Sequence, residues 1–202
     1  TLDDLNEAME EIAVVAPSKI LDKVDGYVLG TAGDDASAIA GLLTANKKTD
    51  FATTITLPAP NIVDQIAAAK LQCETNKYMP DAVLLNPLEI AKLSSAKDEI
   101  NNSITDRRVV FSVTGEPIMV AGMRIIKSTA IAADASVVLD SKQLMIGKRK
   151  DMTMEIGYNG TDLTEGQKTV VIKIRLAFGV RDKASVIYCA GVAAAVTAMK
   201  AV

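Results

Sequence analysis

Between Lys168 and Arg181 the chain alternates strictly. Val170, Ile172, Ile174, Leu176 and Phe178 hold one phase, while Lys173, Arg175 and Arg181 hold the other. Successive side chains of a strand point to opposite faces, so the pattern specifies a β-strand with one apolar and one charged side. At about 3.3 Å per residue it reaches roughly 45 Å, more than a small domain needs to cross its core. The stretch is therefore read as one limb of a hairpin arm that extends beyond the globular body. Its partner is the apolar run Met152–Ile156, and Tyr158–Gln167, with Asn159-Gly160, supplies turn chemistry.

The remainder must supply that body. With 202 residues and 49% hydrophobic composition, one sizeable domain or two small lobes around a shared core is feasible. Thr1 and Asp4 have capping-box spacing, and Leu2, Leu5, Met9 and Ile12 repeat at helical period. Pro17 is expected to interrupt, with a second helical piece over Ser18–Leu29. Asn61 and Asp64 cap a helix whose face is Ile62, Ile66, Ala69 and Cys73. Met79-Pro80-Asp81-Ala82-Val83-Leu84-Leu85 reads as a buried strand, and Asn86-Pro87-Leu88-Glu89 starts a short helix ending near Leu93–Ser95. Lys97–Phe111 is polar and reads as an exposed loop. Strands follow at Ile118–Val120, Met123–Ile126 and Val137–Leu139, with a short helix expected over Ser141–Ile146.

Chemistry is scarce. The chain has no histidine, which removes the commonest general base and metal ligand and rules out Ser-His-Asp or Cys-His nucleophiles. Cys73 and Cys189 lie far apart in no metal or redox spacing and read as buried thiols. Gly30-Thr31-Ala32-Gly33-Asp34-Asp35 lacks the glycine spacing and Gly-Lys-Ser/Thr of a phosphate loop, so it reads as a turn. Adjacent carboxylates at Asp3-Asp4 and Asp34-Asp35 diverge rather than converge. Lys47-Lys48 and the basic Gly147–Asp151 read as exposed charge and a solvated turn. With a net charge of -3, composition gives no case for sequence-specific nucleic-acid binding. No signal peptide is visible, and the longest apolar stretch, Val186–Val196, is too short to span a bilayer. Neither an enzyme nor a cofactor is expected, although an enzyme using Lys or carboxylate chemistry stays as a minor alternative.

The order of features resembles the major capsid proteins of tailed phages with the Hong Kong 97 type fold, shared with encapsulin shells. The resemblance is carried by Gly26-Tyr27-Val28-Leu29-Gly30, Gly41-Leu42-Leu43, Pro80–Pro87, Leu93 with Lys97-Asp98, Gly115–Val120 and Lys173–Val180, closing on Ala184–Cys189. It covers residues 25–193. Departures occur at Ile174, where the family often has an acid, and at Asn101-Asn102, where it often has glycine.

The resemblance implies an α+β wedge with a helix-plus-long-β-arm lobe and a compact axial lobe. Residues 1–57 would form the spine helix and peripheral part, 58–140 the axial domain, 141–175 the peripheral arm, and 176–202 the return into the axial domain. It implies a virion shell subunit, assembled with other copies into pentamers and hexamers in the host cytoplasm and enclosing DNA non-specifically. No membrane is involved. An encapsulin-type shell carrying a cargo enzyme is the alternative. Candidate subunit-contact residues are Asn101, Asn102, Arg107 and Arg108 at the axial tip, with Lys173 and Arg175 on the arm. The family's N-terminal arm and extended loop would precede Thr1. A chain beginning there is expected to fold without closing shells.

Overall fold

The computed structural model of the chain describes residues 2–30, 40–52, 55–94, 108–158, 160 and 169–200. In chain order the elements begin with α1 (Leu2–Leu29), β1 (Thr49–Asp50), α2 (Ile62–Thr75), β2 (Ala82–Leu85) and α3 (Pro87–Ser94). Then come β3 (Val109–Phe111), β4 (Pro117–Val120), β5 (Met123–Lys127) and β6 (Ser136–Leu139). Two long strands follow, β7 (Leu144–Gly157) and β8 (Thr169–Val180), then β9 (Val186–Cys189) and α4 (Val192–Ala198). The mixed α and β content agrees with the expected fold class.

Seven short strands make one mixed sheet in the order β1-β9-β6-β2-β5-β4-β3. β1 runs parallel to β9 and β2 to β5, and the other pairs are antiparallel. The apolar run of β2 is covered on both faces, as a continuous apolar strand must be. On one side Val83 and Leu85 meet Ile66, Ala69 and Cys73 of α2, joined by Val138, Ile187 and Val192. On the other, Ala82 and Leu84 pack with Leu42, Leu43, Ile131, Val137 and Phe178. Helix α2 starts where its cap predicts. The Asn61 side chain accepts from the Val63 and Asp64 N–H groups at 2.9 and 3.1 Å, and Asp64 accepts from the Asn61 N–H at 3.0 Å.

Several local expectations are overturned. Helix α1 runs unbroken through Pro17. The missing N–H costs one bond, and one residue later the Ser18 hydroxyl donates to the Val15 carbonyl at 2.8 Å, keeping the turn tied. The helix expected over Ser141–Ile146 is a single 3-10 turn, Ser141–Gln143, after which Leu144 enters β7. The basic residues 147–151 are strand, not turn, because β8 offers them a hydrogen-bonding partner. Within the expected loop over Lys97–Phe111, Val109–Phe111 is the edge strand β3, and residues 97–107 lie outside the described residues. Helix α4 was not expected at all. The Thr1 cap, Asp34-Asp35 and most of the turn over 158–167 also lie outside the described residues.

Candidate assembly surfaces

Strands β7 and β8 form a separate two-stranded ribbon. Their register pairs Ile146 with Phe178, Lys148 with Leu176, Met154 with Ile172 and Ile156 with Val170. Partners across a ladder share a face, so one side of the ribbon carries an almost continuous apolar row. Among the described side chains of that row only Phe178, at its base, is buried; Val170, Ile172, Ile174 and Leu176 are half-buried, Ile146 is 67% exposed, and Met154 is 39% exposed. The ribbon packs chiefly against itself. Register shifts around Lys150 mark bulges, which bend and twist a ribbon.

The opposite face is basic. Lys173 donates to Glu155 at 2.6 Å, a diagonal cross-strand pair. That hydrogen bond, with the lysine's charge, holds the Glu155 carboxyl below its ordinary range. Arg175 stands directly opposite Lys150, two like charges that repel when the ribbon stands alone. Arg175 makes no ion pair with a described residue, whereas Lys148 pairs with Asp151.

The base of the arm is clamped by residues that sequence reading left as exposed charge. Lys47 donates to the Ala40 carbonyl and, at 3.1 Å, to that of Phe178, and its ammonium sits 4.8 Å from the Phe178 ring centre. Burial lowers the Lys47 pKa. Lys48 pairs with Asp50 at 2.7 Å and lies 4.1 Å over the Tyr188 ring. The Arg181 N–H donates to the Gln143 carbonyl at 2.9 Å, closing the strand ends. Nothing local to Lys47-Lys48 signals this, because both aromatic partners are more than a hundred residues away in sequence.

At the far edge of the sheet, Arg108 reaches Asp64 at 2.8 Å, tying the start of β3 to the first turn of α2. The candidates Asn101, Asn102 and Arg107 lie outside the described residues. Arg108 thus stands at the sheet edge and Lys173 and Arg175 on the arm, two separate places.

Polar groups in the body are structural. Asp134 accepts from the Ala193 N–H at 2.9 Å and caps α4, while buried Glu89 accepts from Lys92 at 2.6 Å and from the Asp134 N–H at 3.1 Å. Burial raises the Asp81 pKa, but two bonds from Ser141 at 2.8 and 2.5 Å and the charge of Arg124 outweigh it, leaving the carboxyl below its ordinary range. Tyr78 donates to Asp182 at 2.6 Å. These carboxylates serve as caps and braces; Glu89 and Asp134 line one small cleft, and Asp81 and Asp182 do not. Among the described residues no helix is long and apolar enough to cross a membrane.

The chain matches the model of the phage capsid family over residues 1–191. Among solved structures, a chain from Mycobacterium phage Adephagia is similar with TM-score 0.67 and 18% identity, covering 92% of this chain and 65% of that one. One from Mycobacterium phage Bobi gives TM-score 0.64 and 20% identity, covering 90% of this chain and 64% of that one. The capsid of an empty GTA particle gives TM-score 0.62 and 16% identity, with coverages of 88% and 65%. The chain therefore spans a little under two thirds of the length of these solved chains. No curated protein matches it.

Proposed function

The chain belongs to the phage capsid family, and from that membership we propose that it is a major capsid subunit that self-assembles into an icosahedral shell enclosing DNA. The role is structural. The observation that carries the reading is the arm: a long ribbon whose apolar row finds no full cover among the described residues. Exposed apolar surface of that extent is characteristic of a surface meant for another subunit. Contacts that are heterologous close into rings, so individually weak contacts gain strength through symmetry.

Charge fits the same picture. The arm's polar face carries Lys173, Arg175 and Lys150, and α1 carries Asp3, Asp4, Glu7, Glu10, Glu11, Asp22 and Asp25 against Lys19 and Lys23. Lys173 and Arg175 meet carboxylates of a neighbouring subunit on the arm side. Asn101, Asn102, Arg107 and Arg108 make contacts near the five- and six-fold axes, where pentamers and hexamers form. The shell confines DNA without reading it, resides in the virion, and is built in the host cytoplasm.

The test is light scattering and electron microscopy of the whole reading frame that encodes this sequence. Rings or megadalton particles are expected, with Arg175→Glu reducing their yield. A protein that stays monomeric at every concentration and salt tried overturns the reading.

A further inference from the structure

The polar face of the arm holds a pair of like charges that its own ladder does not neutralise. Lys150 and Arg175 stand directly opposite each other, on one face, and both are exposed. Like charges so placed weaken a ribbon that, with only two strands, is marginal to begin with. Neither makes an ion pair with a described residue, and the acids nearby are engaged: Glu155 by Lys173 at 2.6 Å, Asp151 by Lys148. Lys150 acts on Glu155 through its charge alone, more weakly than Lys173 does.

The bulges create this pair. Continued without a break from Lys148 and Leu176, the register would set Asp151 opposite Lys173. Two shifts on β7 instead leave Asp151 out of the ladder and bring Lys150 against Arg175. Charge is also divided across the chain. Strands β7 and β8 carry five basic and two acidic residues in a chain of net charge -3, so the acidic excess lies outside the arm. Glu11, Asp22 and Asp25 of α1 are exposed examples. Each copy therefore carries a basic arm and an acidic remainder.

We propose that Lys150 and Arg175 together bind a carboxylate supplied by another copy of this chain. The inference rests on the shell reading and names the point on the arm that a neighbour fills. The guanidinium offers parallel N–H donors to one carboxylate, and the ammonium beside it adds another. The anion turns a repelling pair into a bridge, so the arm gains order when copies meet.

One substitution with two opposite effects tests it, made in the product of the whole reading frame. Arg175→Glu sets an acid opposite Lys150 and is expected to slow amide exchange in β7 and β8 of the unassembled protein by about two- to fivefold. The same change is expected to raise the concentration needed for assembly by about tenfold. Carbodiimide cross-linking of particles built from isotopically light and heavy copies identifies the partner. Mass spectrometry is expected to find amides joining Lys150 to an Asp or Glu peptide of the other isotope. Lys150 links confined to one copy, or assembly of Arg175→Glu at the wild-type concentration, overturn the bridge and leave the shell reading standing. Variant particles that form normally but retain less DNA also overturn it, and assign the pair to phosphate. Wild-type protein that never assembles overturns both.

Discussion

The seven-stranded lobe and the β7–β8 arm are built from similar residues and use them in opposite ways. Strands β2 and β6 are four residues long, and every one of those residues is buried. Strand β8 has twelve residues, and only Phe178 is buried. The lobe draws its stability from apolar area removed from water inside one chain, at about 25 cal/mol per Å². The arm keeps comparable apolar side chains in reserve, and a two-stranded ribbon by itself is at best marginally stable. Length of strand therefore does not measure stability here. It measures reach.

The sharpest way to break the comparison is a matched pair of truncations. Leu85→Ala in the sheet is expected to lower the unfolding free energy by about 2–5 kcal/mol, read by denaturant titration. Ile174→Ala on the arm is expected to cost at most about 1 kcal/mol in the unassembled protein while reducing particle yield. Equal costs at the two sites would mean that the arm has a core of its own. Next in size, Asn61→Ala removes the side-chain acceptor of the Val63 and Asp64 N–H groups, leaving the backbone bond to Asp64, and is expected to cost about 1 kcal/mol by the same titration.

A smaller effect is the response to acid. Because the Asp81 carboxyl is held below its ordinary range, its bonds to Ser141 stabilise the fold fully above the unfolded-state pKa. That contribution is lost as pH falls through the depressed folded value. Asp81→Asn is expected to flatten the acid limb of a melting-temperature profile measured across about pH 2–5. A wild-type profile that is already flat there would remove Asp81 from the account of the lobe's stability.

The last test costs the protein almost nothing energetically. Burial first, then Asp140 and Glu74, pushes the Cys73 thiol up to about 11, and burial also raises Cys189. Both thiols are expected to resist a thiol reagent at pH 8 until the lobe unfolds, whereas Ile172→Cys on the arm should react at once. Rapid labelling of the native cysteines would show that the lobe opens as readily as the arm.

How much of this was legible in the sequence depends on how far apart the interacting residues lie. The Asn61–Asp64 cap and the start of α3 were legible because each is set within one helical turn. The alternation over 168–181 gave β8 and both its faces, since a period of two needs no knowledge of the partner. Of the candidate contact residues, Lys173 and Arg175 were placed on the arm by that same alternation. Sequence could not show that Lys173 already holds Glu155, or that Arg175 faces Lys150. Those relations depend on a register shifted by bulges.

What only the tertiary structure decided has one physical cause. Residues 144–151 lack a strong local preference, and they became strand because β8 presented unpaired backbone groups for Leu144, Met145 and Ile146 to meet. Lys47 became the clamp of the arm because folding set the Phe178 ring beneath its ammonium. The sequence by itself determined helix α2, the start of α3, the buried strand β2 and the two-faced strand β8, through patterns read over a few residues. The order in which strands pair, and the surfaces left over for other copies, came from long-range pairing that no short window contains.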